Sequence, residues 1–241
     1  MWLTDIWGQN DPSELKHSFC HAVKILNRHA AEGSAELKKF AQGFESLLTG
    51  NRVHDAGRFF ISCLSVAGDD LGQWRAYAED GRGYALAFDT SLLEDAFRQA
   101  SKPHDQTFRI TYSDRKAVRL QTQIIDELLP LVSAFPSEGD LLIHAWLHCL
   151  ITALFFKHAA YRNEAEYRFL EIHQFDSAQE CKRREFAWRS HAALKKIIIG
   201  PAADRTKAVR FAEKCLRAYH CDPPVEVVCS PIPYRPRLRR A

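Results

Sequence analysis

Apolar and polar positions recur with different periods along this chain, and the changes of period mark its elements. Asp11-Pro12-Ser13-Glu14 opens a first helix, with Asp11 as N-cap, Pro12 at the first helical position and Glu14 returning a capping-box bond. That helix runs to about His29, and Ser34 caps a second that ends near Gly50. Arg58 to Ser65 has the length and aromatic content of a strand. Gly81 to Gly83 turn the chain into a buried-type strand, Tyr84 to Phe88, which stops at the capping residues Asp89 to Ser91. Thr107 to Tyr112 alternates as a strand. From Asp114 a helix presents Ala117, Gln121, Ile124, Leu128 and Leu131 on one face, and Pro130 should kink or end it. Another helix is predicted from about Glu138 to His158, followed by an extended segment from Glu164 to His173. A strand over Leu194 to Ile199, a helix over Asp204 to Tyr219 and a strand over Val225 to Cys229 complete the pattern. Strands and helices do not alternate regularly, and no glycine-rich phosphate-binding fingerprint follows a strand. The expectation is an α+β fold, one domain over residues 1–241, with a mixed or antiparallel sheet core, flanking helices and a basic tail from about residue 234.

Composition narrows the class. With 46% hydrophobic and 26% charged residues the chain is neither disordered, collagenous nor a disulfide scaffold. Leu141 to Phe156, the longest apolar stretch, is interrupted by His144 and His148 and is too short to span a bilayer, so it reads as a buried helix. Nothing at the N-terminus resembles a secretory signal, and the seven scattered cysteines contain no CxxC. A cytoplasmic protein with reduced thiols and no membrane partner is expected. Charge is uneven: residues 182–241 sum to +10 and residues 1–181 to −7. Either the two parts attract each other, or the basic part meets an anion.

Four groups of residues are candidates for chemistry. In Glu164-Ala165-Glu166-Tyr167-Arg168-Phe169, strand alternation places Glu164, Glu166 and Arg168 on one face, and neighbouring carboxylates divide acid and base roles. The alternative is the solvated face of an edge strand, which the hexamer alone favours. Trp74, Arg75 and Tyr77 cluster where an aromatic ligand ring could stack, although core packing accounts for Trp74 almost as well. His17, Cys20 and His21, and separately His144 and His148, have metal-compatible helical spacing but no evident further ligand, so no metal is expected. Lys207, Arg210, Lys214 and Arg217 form a basic stripe able to meet nucleic-acid phosphates, with Arg235, Arg237, Arg239 and Arg240 beyond it; a solvated helix face is the commoner cause.

Asn10-Asp11-Pro12-Ser13-Glu14, Ser62 to Ser65 through Asp70, Gln73 to Tyr77 and Gly83 to Phe88 resemble the bacterial domain-of-unknown-function family 2971. So do Phe156-Lys157-His158 with Tyr161, Glu164, Glu166 and Arg168, then Ile198 to Pro201 and Ser230 to Arg235, in the same order along nearly the whole chain. More weakly, the E-x-E strand and the serine-bearing strand are similar to the core of ADP-ribosyltransferases. That similarity implies NAD as cofactor, a macromolecular acceptor and a setting in toxin or phage-defence biology. Under it, Glu166 bonds the ribose 2′-hydroxyl, Glu164 orients or deprotonates the acceptor, and Ser62 or Ser65 lines the pocket. Two departures stand out: the serines are three apart, so a regular strand sends them to opposite faces, and the family's usual opening strand with its histidine has no counterpart upstream of Met1-Trp2-Leu3-Thr4-Asp5. The competing expectation is a non-catalytic nucleic-acid- or protein-binding module that uses the basic C-terminal third.

Overall fold

The computed structural model describes residues 1–6, 14–49, 58–102, 105–132, 134, 138–173, 183–185, 192–219 and 224–236. Its elements run β1 (Trp2–Asp5), α1 (Glu14–Ala31), α2 (Ala35–Thr49), β2 (Arg58–Ser65), α3 (Leu71–Tyr77), β3 (Tyr84–Phe88), α4 (Thr90–Ala100), β4 (Gln106–Arg109), α5 (Asp114–Val132) and α6 (Glu138–Ala153). A 3-10 helix (Ala159–Glu164) then leads to β5 (Glu166–His173), β6 (Arg183–Glu185), β7 (Leu194–Ile199), α7 (Arg205–Tyr219) and β8 (Glu226–Cys229). The α+β class is as expected. An antiparallel five-stranded sheet has the order β4-β5-β2-β1-β6, and a smaller sheet, β3-β7-β8, joins an antiparallel to a parallel pair.

Alternation along the central strands explains the layers. Phe59, Ile61 and Leu170 point to one face of the large sheet, where α1, α2, α5 and α6 bring Phe19, Phe44, Ile125 and Trp146. Phe19 and Phe44 stack at 5.2 Å, and Trp146 meets Phe19 edge-on at 5.8 Å. Phe60 and Phe169 point the other way, against Leu93, Ala96 and Phe97 of α4. Each face of the sheet thus buries its own set of side chains, as a central pair of strands requires.

Several boundaries differ from the expectation. Pro130 does not end α5; it sits in the last turns, and the buried face runs Ala117, Gln121, Ile125 and Val132 while Leu131 is exposed. Helix α6 stops at Ala153, five residues early, because Phe155 and Lys157 leave it to exchange backbone hydrogen bonds with Thr111. The opening cap Asp11 to Ser13, Cys181, Cys221, and the tail arginines Arg237, Arg239 and Arg240 lie outside the described residues. The five described cysteines, Cys20, Cys63, Cys149, Cys215 and Cys229, carry free thiols. Among the described residues no helix is long and apolar enough to cross a membrane.

The small sheet is anchored by an unusually close backbone approach. Gly200 donates to the Gly83 carbonyl at 2.9 Å, and Gly81, with φ of +84°, accepts from Ala202 at 2.9 Å. A Cβ on Gly200 would stand 2.3 Å from the Gly81 carbonyl oxygen. Because backbone rather than a flexible side chain is the obstacle, Gly200→Ala is expected to destabilise the fold by about 1–3 kcal/mol, read as a lower urea midpoint.

Candidate functional site

Strands β2 and β5 pair antiparallel with Ser65 opposite Glu166 and Cys63 opposite Arg168. Directly paired residues share a face, so Ser65, Cys63, Glu166 and Arg168 project to the side of the four helices, while Ser62, Leu64, Tyr167 and Phe169 project to the other. The two candidate serines are therefore separated: Ser65 accompanies the carboxylate, and Ser62 lies opposite Phe169 on the far face. Strand β5 lies between β4 and β2, not at an edge. Its polar side chains are buried, with 5% of the Glu166 side chain and none of the Arg168 side chain exposed, so the solvated edge-strand alternative is overturned.

Glu164 is not in the strand with Glu166. It ends the 3-10 helix, and Ala165 follows with φ of +45°, a left-handed conformation that breaks the expected alternation. Neighbours fix this turn: Ala165 donates to Arg162 and accepts from Val66 at 2.9 Å, and the Ser65 hydroxyl donates to the Glu164 carbonyl at 2.8 Å. The turn swings the Glu164 side chain beside Glu166 by a route that simple β periodicity does not supply.

Lys157, just past the end of α6, binds both carboxylates. Its Nζ donates to Glu164 Oε2 at 2.6 Å and to Glu166 Oε2 at 3.2 Å, and it lies 4.8 Å above the Tyr161 ring. Arg168 completes the group: Nε donates to Glu166 Oε1 at 2.6 Å, and Nη1 to the Leu154 carbonyl at 3.0 Å, where the C-terminal end of α6 favours a cation. The Glu166 amide donates to the Tyr112 hydroxyl at 2.9 Å. Two carboxylates and two cations make the network neutral, yet each carboxylate oxygen keeps lone-pair capacity for a further donor. At Cys63, desolvation of the thiol on the helix side of the sheet and the Glu166 carboxylate beside it push its pKa well above the usual range, so it stays protonated and weakly nucleophilic at neutral pH.

Burial alone would lower the Lys157 pKa, but the hydrogen bond to Glu164 and the charges of Glu166 and Glu164 outweigh it and raise the group above an ordinary lysine. A group raised on folding contributes stability that is complete below its unfolded pKa, about 10.4, and is lost as pH climbs through the folded value. Lys157→Met is accordingly expected to cost about 1.5–3 kcal/mol at pH 7. Urea midpoints of the two proteins should keep that gap to about pH 10 and converge only at more alkaline pH.

On the opposite face of β2 and β5, between the two sheets, lies a cavity of about 430 Å³. Tyr167 and Phe169 form one wall and the β3 residues Tyr84 to Phe88 another, with Arg109 also at the lining. Ser65 and Tyr77 belong to both places: they line the cavity and they hold Glu164, the Tyr77 hydroxyl donating to Glu164 Oε1 at 3.0 Å. Neither carboxylate lines the cavity itself: Glu164, with 22% of its side chain exposed, is held at its rim by Ser65 and Tyr77, and the less exposed Glu166 lies behind it on the helix side of the sheet.

The other candidates divide. Trp74 lines the cavity but is buried, its indole donating to Asp69 at 2.5 Å, and Asp69 also accepts from Ser230; its role is to fix α3. Arg75 is exposed, pairs with Asp80 at 3.9 Å and does not line the cavity. The α7 residues Lys207, Arg210, Lys214 and Arg217 are exposed, and among the described residues the ion pairs of the stripe are local, Lys207 to Asp204 and Arg217 to Glu213. Lys157 and Tyr112 join the site although no spacing in the sequence marks them. The motif Phe156-Lys157-His158 was visible, but only the early end of α6 turns Lys157 toward the carboxylates.

No match was found among curated proteins or solved structures. A family model does match, over the segment that contains Tyr77, Lys157, Glu164, Glu166 and Arg168. Residues 73–169 match the model of the family described as "Protein of unknown function (DUF2971)", the family that the ordered motifs resemble.

Proposed function

We propose that the protein is an ADP-ribosyltransferase-like enzyme that takes NAD into the cavity between its sheets and acts on a macromolecular acceptor, in a toxin or phage-defence setting. One observation carries the reading: Ser65 and Tyr77 connect an aromatic-walled cavity to a pair of carboxylates that share one lysine. A cavity of this size falls in the range of small-molecule sites, its aromatic walls suit flat heterocycles, and Arg109 suits a phosphate. In the reaction the bond between ribose C1′ and the nicotinamide nitrogen breaks, nicotinamide leaves with the electron pair, and the ribosyl cation is captured by an acceptor nucleophile. Glu164, at the rim, receives the acceptor proton. For this reaction the ribose end of NAD passes Ser65 and Tyr77 to the helix side of the sheet, where Glu166, kept at the start of β5 by Arg168 and Lys157, supplies fixed negative charge for the cation and the ribose hydroxyl.

Calorimetry with NAD tests the binding half. Tyr77 offers the cavity a ring and positions Glu164, so Tyr77→Ala is expected to weaken NAD binding by about tenfold, as loss of one stacking face and one positioning bond implies. Binding that is absent in the unmutated protein, or equal in both, would contradict the assignment of the cavity.

One observation favours a second reading. Phe211 and Tyr219 are exposed on α7 at 58% and 61%, beside the basic stripe, and exposed aromatics among cations suit single-stranded nucleic acid. Salt-sensitive binding that disappears in a Lys207→Glu, Arg210→Glu, Lys214→Glu triple variant would support it; no binding by the unmutated protein at low salt would remove it.

A further inference from the structure

We propose that His17, His21 and Asp114 form a binding site for one divalent transition-metal ion of the zinc class, which joins α1 to the start of α5. The helix supplies two ligands by itself, because residues four apart lie on one face and imidazoles at that spacing can share an ion. The fold supplies the third from 97 residues away: Asp114, the first residue of α5, places Oδ1 2.9 Å from His17 Nε2. One ligand atom from each of the three residues lies within 4.8 Å of the other two. Cys20, which shares the helix and the sequence spacing, is not part of the cluster.

A hydrogen-bonded His17 and Asp114 alone would need no metal. His21 is what that simpler arrangement leaves unexplained: its Nε2 is buried and has no hydrogen-bond partner among the described residues. A buried nitrogen is seldom left in that state, and coordination to an ion between the two histidines and the aspartate satisfies it. The donor set selects the ion. Two imidazoles and a carboxylate suit Zn²⁺, Co²⁺ or Ni²⁺, whereas Ca²⁺ and Mg²⁺ take oxygen ligands. Metal bonds of about 2.0–2.1 Å in a tetrahedral site set ligand atoms roughly 3.4 Å apart, so closure needs side-chain movements of about an ångström. The His158 ring, which caps the 3-10 helix leading to Glu164, stands edge-on to the His17 ring with centroids 5.2 Å apart.

The inference stands independently of the NAD reading and is tested without it. Chelator-stripped protein, kept reduced, is titrated with Co²⁺ while visible absorption and the thermal midpoint are followed. One equivalent is expected to bind with the spectrum of a nitrogen and oxygen site and to raise the midpoint. His21→Ala and Asp114→Asn are each expected to weaken binding by more than about tenfold, while Cys20→Ser and His148→Ala leave it unchanged. Asp114 is exposed, so its variant keeps the test informative if His21→Ala misfolds. No uptake, a thiolate-to-cobalt charge-transfer band, or uptake unchanged in both ligand variants would overturn the site.

Discussion

Arg168→Ala is expected to destabilise the protein by about 3–5 kcal/mol, the usual consequence of removing one partner from a buried ion pair. Its guanidinium is fully buried in the central strand and divides its donors between Glu166 Oε1 and the Leu154 carbonyl. The variant loses the donor on both sides and leaves a space the size of a long side chain. For a chain of this length the thermal midpoint should fall by roughly 6–20 °C. Arg168→Lys should recover little, because one ammonium lacks the forked geometry that reaches both acceptors. A double change, Glu166→Gln with Arg168→Met, should recover more than Arg168→Ala does, since it removes the stranded carboxylate charge. Equal urea midpoints for Arg168→Ala and the unmutated protein would show that the pair does not anchor the strand.

Glu166→Gln is expected to reduce nicotinamide release by about 10²–10³-fold, the range seen when one preorganised charge or donor is removed from a site that stabilises a transition state. The loss should fall on kcat and not on KM, because a neutral amide still accepts a hydrogen bond from a ribose hydroxyl but cannot balance a ribosyl cation. Stability must be followed in the same samples, since Gln leaves Arg168 and Lys157 facing an uncharged partner. Glu164→Gln separates the roles further: at the rim, with more of its surface open, it should cost less stability than Glu166→Gln and act mainly on transfer to the acceptor.

Long periodic segments of the fold were legible. Helices α1 and α2, the amphipathic α7 and the apolar strands β2, β3 and β7 all follow from spacing, because each buries a regular face. Strands β1 and β6 were not, since four and three residues carry too short a pattern and exist through pairing with β2 and with each other. The capping residues Asp89 to Ser91 were legible, and Asp89 is the N-cap that accepts from Leu92, but the helix it opens, α4, was not among the expected elements. At the site, the E-x-E carboxylates and Tyr77 were visible as residue types. Their assembly was not, for two physical reasons. The left-handed Ala165 removes Glu164 from the strand, and no local rule assigns an alanine that conformation. Lys157 and Asp114 meet their partners only after distant elements pack, as the separations in Lys157 to Glu166 and His17 to Asp114 show.

The central claim is that the carboxylates joined to the cavity through Ser65 and Tyr77 act on NAD. A time course of nicotinamide release from NAD, run side by side on the unmutated protein and on folded Glu166→Gln at equal concentration, tests it most directly. The account predicts steady release by the first and at least about a hundredfold less by the second. Equal release by both, or none by either, would contradict it.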